Sequence, residues 1–377
     1  MAAPTAAVPA APIKAPRLPD GLDTPEIVID LDVVERNAAR LGNALAARGI
    51  ALRPHAKTHK SVALARIQLD AGARGITVGN LGEAEVFAAG GIDDLLIAYP
   101  IWVDGPKAAR LRALHERESL RLTVGFDSVE GARRLAAAVA GSGRALRAVL
   151  ELDPGNRRTG APAEAAGEIA GAARGFGLDV VGVFTHGGHG YHPGGAEPAG
   201  ADEVRTLGAG ANALRAAGIK PLVISAGSTP TQLTAAVQPV NEVRAGTYLI
   251  GDRQQWAIGA VPGDGIAIAV AATVVSAAVD GQVVIDAGAK ALTKDVASYL
   301  VGHGFLPAYP GAIIEKVSDY HGIVRATEGR PLPPPGEVVA VIPNHVCPVI
   351  DLRDSFVATR SGEVVGRWPV DARGRSG

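Results

Sequence analysis

The sequence predicts a (β/α)8 barrel of the TIM type followed by an antiparallel β domain, an α/β fold class, on three observations. Eight short apolar runs recur at 50–56, 75–79, 95–99, 121–126, 148–152, 180–185, 222–225 and 243–249. Ala/Leu-rich stretches with helical spacing lie between most of them, at 61–71, 82–90, 105–117, 128–140, 162–175 and 201–217. From about Gly265 the helical spacers give way to β-rich segments parted by Gly, Asp and Pro turns. Strand and helix alternating over some 200 residues is the pattern of a closed parallel barrel. A doubly wound open sheet is the competitor, but no GxGxxG follows the first strand.

Taken in order, residues 1–22 are an Ala/Pro-rich tail expected to be disordered, because its prolines interrupt any helix. Glu26–Leu31 reads as a short strand and Asp32–Arg48 as a helix carrying Val33, Val34, Leu41 and Leu45. The barrel is assigned to 23–262, with the option that its first strand joins the β domain. The links 227–241 and beyond 250 are less regular. Residues 263–372 form the β domain, built from runs such as AIAVAATVVSAAV, EVVAVIPNHV and SFVATRSGEVVGRWPV.

Composition narrows the function. The chain has 377 residues, 47% hydrophobic and 20% charged, so it can bury a large core. Only 4% are aromatic, which leaves Ala, Val, Leu and Ile to fill that core. A formal net charge of −1 argues against nucleic acid or anionic membrane as a partner. No apolar run reaches the roughly 20 residues of a membrane helix. Cys347 is the only cysteine, which excludes an intrachain disulfide and fits a reducing, cytoplasmic setting. The N-terminal segment also lacks the charged and apolar regions of a secretory signal.

The chemistry gathers at predicted strand ends, where βα loops begin. In ALRPHAKTHK (51–60), strand alternation places Arg53, His55 and Lys57 on one face. Such a face suits an anion, and a lysine among cations can lose its proton and attack an aldehyde, as a Schiff base with pyridoxal phosphate requires. A solvated basic strand end is the alternative. The fifth strand runs into ELDPGNRRTG with Arg157 and Arg158, and the sixth into THGGHGYH with His186, His189, Tyr191 and His192. SAGSTPT (225–231) carries small residues whose amides and hydroxyls can wrap an anion, although turns favour the same residues. RAGTYLIGD follows the eighth strand. In PNHVCPVID (343–351), His345 and Cys347 share a face if the segment is extended, and their softness favours zinc over magnesium. A buried, inert cysteine beside an incidental histidine is the other reading. Asp351 could be a ligand, a supporting group or surface.

From about Thr24 to Val370 these motifs resemble the fold-type III pyridoxal phosphate enzymes, in the group of D-serine dehydratase and D-threonine aldolase related to alanine racemases. RPHAKTHK is similar to that group's Schiff-base segment, with Lys57 as the cofactor lysine. Arg158–Gly160 resembles the segment beside the cofactor ring. GSTPT and AGTY resemble the phosphate-binding loops, and Tyr320-His321-Gly322 an EHG-like segment from which Tyr320 departs. Pro343-Asn344-His345-Val346-Cys347 is similar to the dehydratase form of the metal motif; aldolases of the group tend to pair histidine with aspartate.

The resemblance implies a pyridoxal phosphate- and metal-dependent lyase acting on a D-3-hydroxy amino acid, with D-serine dehydration to pyruvate and ammonia expected. D-threonine aldolase and D-3-hydroxyaspartate aldolase or dehydratase are alternatives. A racemase leaves the metal without a task, and a non-catalytic pyridoxal phosphate carrier lacks the second domain. Candidate catalytic residues are Lys57, His186 and Tyr191. Candidate cofactor contacts are Lys57, His55, Arg158, Gly227, Ser228, Thr229, Gly246, Thr247 and Tyr248. His345 and Cys347 are the expected metal ligands, zinc before manganese or magnesium. The resemblance also implies a homodimer.

Overall fold

A computed structural model describes residues 12–327 and 329–377. The chain divides into two compact units: residues 40–57 with 64–246 and 374–377, and residues 1–39 with 58–63 and 247–373. In chain order the strands are β1 (Glu26–Asp30), β2 (Ala51–Leu52), β3 (Ile76–Val78), β4 (Asp94–Ile97), β5 (Arg121–Phe126), β6 (Arg147–Glu151), β7 (Asp179–Phe184), β8 (Val223–Ala226) and β9 (Glu242–Val243). The helices among them are α1 (Leu31–Ala46), α2 (Val62–Asp70), α3 (Leu81–Ala89), α4 (Pro106–His115), α5 (Val129–Ala138), α6 (Ala166–Gly175) and α7 (Ala196–Ala216).

In the first-named unit, β2–β9 form one parallel sheet in the order β2-β9-β8-β7-β6-β5-β4-β3. Its ends meet. His55 bridges Thr77 in parallel, and Thr77 N donates to Pro54 O at 2.8 Å. Each of the eight apolar runs holds one strand. A sheet covered on both faces demands such near-continuous apolar strands. Local signals start the helices: Asn80 accepts from Glu83 N at 2.9 Å, and Ser128 from Gly131 N at 3.1 Å. Phe184 fills the interior among Leu96, Ala98, Val149, Val181 and Val223. It needs Gly125 opposite, because a Cβ there would stand 2.9 Å from the ring.

Two strand expectations are corrected. Regular β structure in the first run ends at Leu52, and Ala56–Thr58 form a 3-10 turn, so Lys57 is out of strand register with Arg53. The eighth run keeps only Glu242–Val243 as strand, with a 3-10 turn at Thr247–Leu249. Nor does Arg53 face an anion site. It is buried, 2.7 Å from Asp94 and 2.8 Å from Glu242.

The other unit holds β1 and β10 (Ile268–Ser276), β11 (Gln282–Ile285), β12 (Ala312–Val317), β13 (Gly322–Ala326), β14 (Val338–Val341), β15 (Ser355–Arg360) and β16 (Glu363–Pro369). Their order is β12-β13-β11-β10-β1-β15-β16, with β14 also on β10. Every pairing is antiparallel except β1 with β15. The first strand therefore belongs to this sheet. Its helices are α8 (Arg253–Ala257), α9 (Ala289–Leu292) and α10 (Val346–Asp351). Of the tail expected to be disordered, residues 1–11 lie outside the described residues. For residues 12–22 the expectation is corrected: Ile13 is buried, and Leu18 and Leu22 pack on Val28, Ala271 and Val357. Prolines stop a helix there but leave an extended chain free to dock apolar side chains.

Arg53→Ala is expected to destabilise the protein by about 3–5 kcal/mol, because it leaves the buried Glu242 without its cation and Asp94 with only the more distant Arg121. Denaturant unfolding measures this, and a loss within 1 kcal/mol (about fivefold in the folding constant) would show that water reaches the pair.

Candidate active site

The 3-10 turn after the His55 bridge presents Lys57, whose Nζ donates to the Tyr99 hydroxyl at 3.0 Å. Lys57 N in turn donates to His55 Nδ1 at 3.3 Å. Tyr99, just past β4, is the hub of the cluster. The His55 ring stands 6.1 Å from it at a steep angle, and the Arg158 guanidinium lies 5.0 Å from its centroid. Sequence reasoning missed Tyr99, although it closes the third predicted strand and the strand-end rule pointed to it. Lys60, the other lysine of the segment, is instead tied to Asp351 at 2.7 Å, which accounts for that carboxylate.

His186 follows β7, and its ring is 6.2 Å from that of Tyr191. Burial holds its pKa well below the usual imidazole range, and the charges of Lys57, Arg158, Arg244 and His189 push the same way. A neutral His186 can offer a hydrogen bond but is a weak base. Arg158 lies 3.8 Å from Glu151. Burial raises the Glu151 carboxyl to about 7, against the opposing pull of Thr159, Arg158 and Arg244.

The loop expected to wrap an anion is already engaged. Gly227 N donates to Glu203 Oε1 at 2.8 Å, and Ser228 N to Thr231 Oγ1 at 3.0 Å. Thr231 Oγ1 and Thr185 Oγ1 also donate to Glu203, at 2.6 and 3.0 Å. The Gly227 amide is thus anchored on the buried Glu203 carboxylate, a residue no motif had singled out, and the Ser228 amide on the Thr231 hydroxyl that donates to the same carboxylate. Gly227 still provides close backbone approach: its φ is +102°, and a Cβ would meet Val243 at 2.9 Å. Thr229 is buried on the same loop. Gly246, Thr247 and Tyr248 follow β9, and the last two open the buried 3-10 turn. An amine, a guanidinium beside it and a side-chain-free backbone approach fit a pyridoxal phosphate held through Lys57.

In the unit carrying α10, the expectation of an extended His345–Cys347 segment is corrected. His345 is the N-cap of α10 and Cys347 its second residue. The turn is pinned from below: Arg253 N and Gln254 N donate to the carbonyls of Pro343 and Asn344, each at 3.0 Å. Val346 N donates to Asp252 at 3.1 Å. Asn344 Nδ2 donates to the carbonyls of Asp295 and Gly302. Burial raises the Asp252 carboxyl to about 6, opposed by the His345 charge and by amide hydrogen bonds. His345 Nδ1 faces Asp295, and a side-chain hydrogen bond joins the same imidazole to Cys347. Burial alone would lower the His345 pKa, but Cys347, Asp252 and Asp295 outweigh it and raise it to about 10. The Cys347 sulfur lies 3.7 Å from Thr58 Oγ1. Among the described residues no three His, Cys, Asp or Glu side chains gather as a metal cage. An imidazole and a thiol with open positions remain a donor set suited to a soft divalent ion.

A closed parallel barrel with a lysine just beyond its first strand, followed in sequence by a mostly antiparallel unit, defines an alanine racemase-like protein. Residues 29–254 match the family described as alanine racemase, N-terminal domain, and 267–359 the putative serine dehydratase domain. D-threo-3-hydroxyaspartate dehydratase of Delftia sp. (strain HT23) is 35% identical over 350 residues, 86% of this chain and 91% of that one. Its solved structures superpose with a TM-score of 0.84 and include a His→Ala variant and a Cys→Ala variant in the metal-free form. The crystal structure of D-threonine aldolase from Filomicrobium marinum gives a TM-score of 0.87 at 30% identity, covering 97% of this chain and all of that one. 3-Hydroxy-D-aspartate aldolase of Paracoccus denitrificans (strain Pd 1222) is 31% identical over 368 residues, 94% of this chain and 93% of that one. The chain belongs to the fold-type III pyridoxal phosphate family, in the group that includes D-threo-3-hydroxyaspartate dehydratase and D-threonine aldolase.

Lys57→Ala is expected to lose the visible absorbance of bound pyridoxal phosphate, whereas Lys60→Ala keeps it. Spectra of the two purified variants decide, and the reverse pattern would move the cofactor lysine to Lys60. Gly227→Val should weaken cofactor affinity by about tenfold or more, since it combines a disfavoured φ with a clash at Val243. Equilibrium dialysis against pyridoxal phosphate measures that loss.

Proposed function

We propose that the protein is a metal-assisted, pyridoxal phosphate-dependent dehydratase of D-3-hydroxy amino acids, releasing a keto acid and ammonia. D-Serine and D-threo-3-hydroxyaspartate are the substrates to compare, the first from the sequence motifs and the second from the Delftia relative. The observation that carries the reading is the His345–Cys347 pair. The Delftia dehydratase has been altered at a histidine and a cysteine also two residues apart, and the cysteine variant is described as metal-free.

Pyridoxal phosphate on Lys57 supplies an electron sink for charge at Cα, and a divalent ion on His345 and Cys347, zinc by the softness of the donors, supplies a Lewis acid for the departing hydroxide. The chain's own groups do the rest. Lys57 Nζ is the base for the α-proton, and the Tyr99 hydroxyl at 3.0 Å orients it. His186 stays neutral beside Lys57 and Arg158, so it can hydrogen-bond the substrate without adding charge. Tyr191 shares that corner. Thr229, Gly246, Thr247 and Tyr248 are assigned to the cofactor phosphate. A homodimer, implied by the family resemblance, completes the reading and is checked by light scattering.

A chelator should abolish keto-acid release from D-serine and D-threo-3-hydroxyaspartate without bleaching the bound cofactor, and zinc should restore it. Cys347→Ala should reproduce the chelated state. Glycine and an aldehyde from D-threonine, in place of keto acid from either substrate, would make the enzyme an aldolase. Full activity in chelator would return Cys347 to a structural role.

A further inference from the structure

At the end of the barrel opposite Lys57, where strands begin, the segments before β3, β4, β5 and β6 line a cavity of about 440 Å³. That volume lies in the range of small-molecule sites. Four arginines face it, Arg74, Arg121, Arg144 and Arg147, against three carboxylates, Asp93, Asp94 and Glu118. The lining thus carries one surplus positive charge.

The four cations are not equally engaged. Arg121 pairs with Asp94 at 3.3 Å, and Asp94 is also held by Arg53. Arg144 donates to the carbonyls of His115 and Arg117. Among the described residues Arg147 has only a long contact to Asp179 at 3.8 Å, and its buried Nε has no hydrogen-bond partner. Arg74 forms no ion pair or side-chain hydrogen bond among the described residues. Arg74 and Arg147 also line a smaller pocket leading inward toward Arg53 and Glu242, so the two under-used guanidiniums border the same space. Leaving the buried Nε of Arg147 without an acceptor is costly, a cost that a plain solvated arginine would not incur.

We propose that this cavity is a second ligand site, taking a small anion rich in oxygen acceptors, a phosphate monoester or a polycarboxylate, in the forks of Arg74 and Arg147. Guanidinium groups hold such anions through paired charge-assisted hydrogen bonds. Asp93 and Glu118 favour compact ligands whose charge stays near the two arginines. The site is separate from the cofactor lysine and does not depend on the lyase reading.

Isothermal titration of the holoenzyme, saturated with pyridoxal phosphate so that its cofactor site is filled, tests this with inorganic phosphate and citrate as separate probes. Saturable binding of at least one is expected, weakened about tenfold or more in Arg74→Gln/Arg147→Gln with the cofactor absorbance unchanged. Phosphate alone identifies a phosphate-bearing ligand, citrate alone a carboxylate, and both the shared chemistry. Arg74→Gln by itself, at an exposed position without partners, should weaken binding even if the double variant folds poorly. No saturable heat with either probe, or binding that Arg74→Gln leaves unchanged, overturns the proposal.

Discussion

Buried charges inside the barrel set the conditions for the rest of that unit. Arg53 stands between Asp94 and Glu242; Glu242 accepts from Ser225 Oγ at 2.7 Å, and Ser225 Oγ accepts from Arg244 at 2.6 Å. These groups come from β4, β8 and β9 and from the residues just past β2 and β9. Two of those strands have only two residues each, too few for backbone pairing alone to fix them. A one-residue slip would turn Arg53 or Glu242 away from its partner, and a stranded buried charge is costly. The chain of ion pairs therefore fixes register where the ladder is shortest.

Arg244 carries that effect toward the candidate active site. Fully buried, it rests over Phe184 and donates to the carbonyls of Thr185 and Ala226. Its charge adds to those of Lys57 and Arg158 in keeping His186 neutral. Glu203 balances it from α7 and gathers Thr185, Gly227 and Thr231 around one carboxylate. A negative charge directly behind the Gly227 loop makes that loop a scaffold for neighbouring groups.

Much of this was legible in the sequence because periodicity reports burial. All eight barrel strands and six helices fall where the apolar pattern placed them, and Lys57, His55 and Arg158 do meet around one ring. What failed was the conformation inside short polar segments. ALRPHAKTHK alternates like a strand, yet the parallel bridge at His55 ends the ladder and the chain turns. Tyr99, Glu203 and Asp252 were missed for a common reason: each acts through a partner distant in sequence, and a single chain without relatives gives spacing but no pairing.

The His345–Cys347 pair illustrates how a spacing argument can assume the wrong local geometry. On a strand, positions two apart share a face; within a helix they diverge by about 200°. Here neither applies, because His345 is still extended while Cys347 is already helical, and a side-chain hydrogen bond joins the two across the bend. That bend is held from outside the motif, by Asp252 on the Val346 amide and by the first amides of α8 on the carbonyls of Pro343 and Asn344. Asn344 earns its place in PNHVC the same way, through two carbonyls and Arg253 rather than through any ligand. Because Asp295 fixes the imidazole through Nδ1 while Asn344 holds the Asp295 backbone, the ring orientation and the loop position are set by one connected group. Side chains mounted this way are preorganised, which is the property the proposed metal site requires of them.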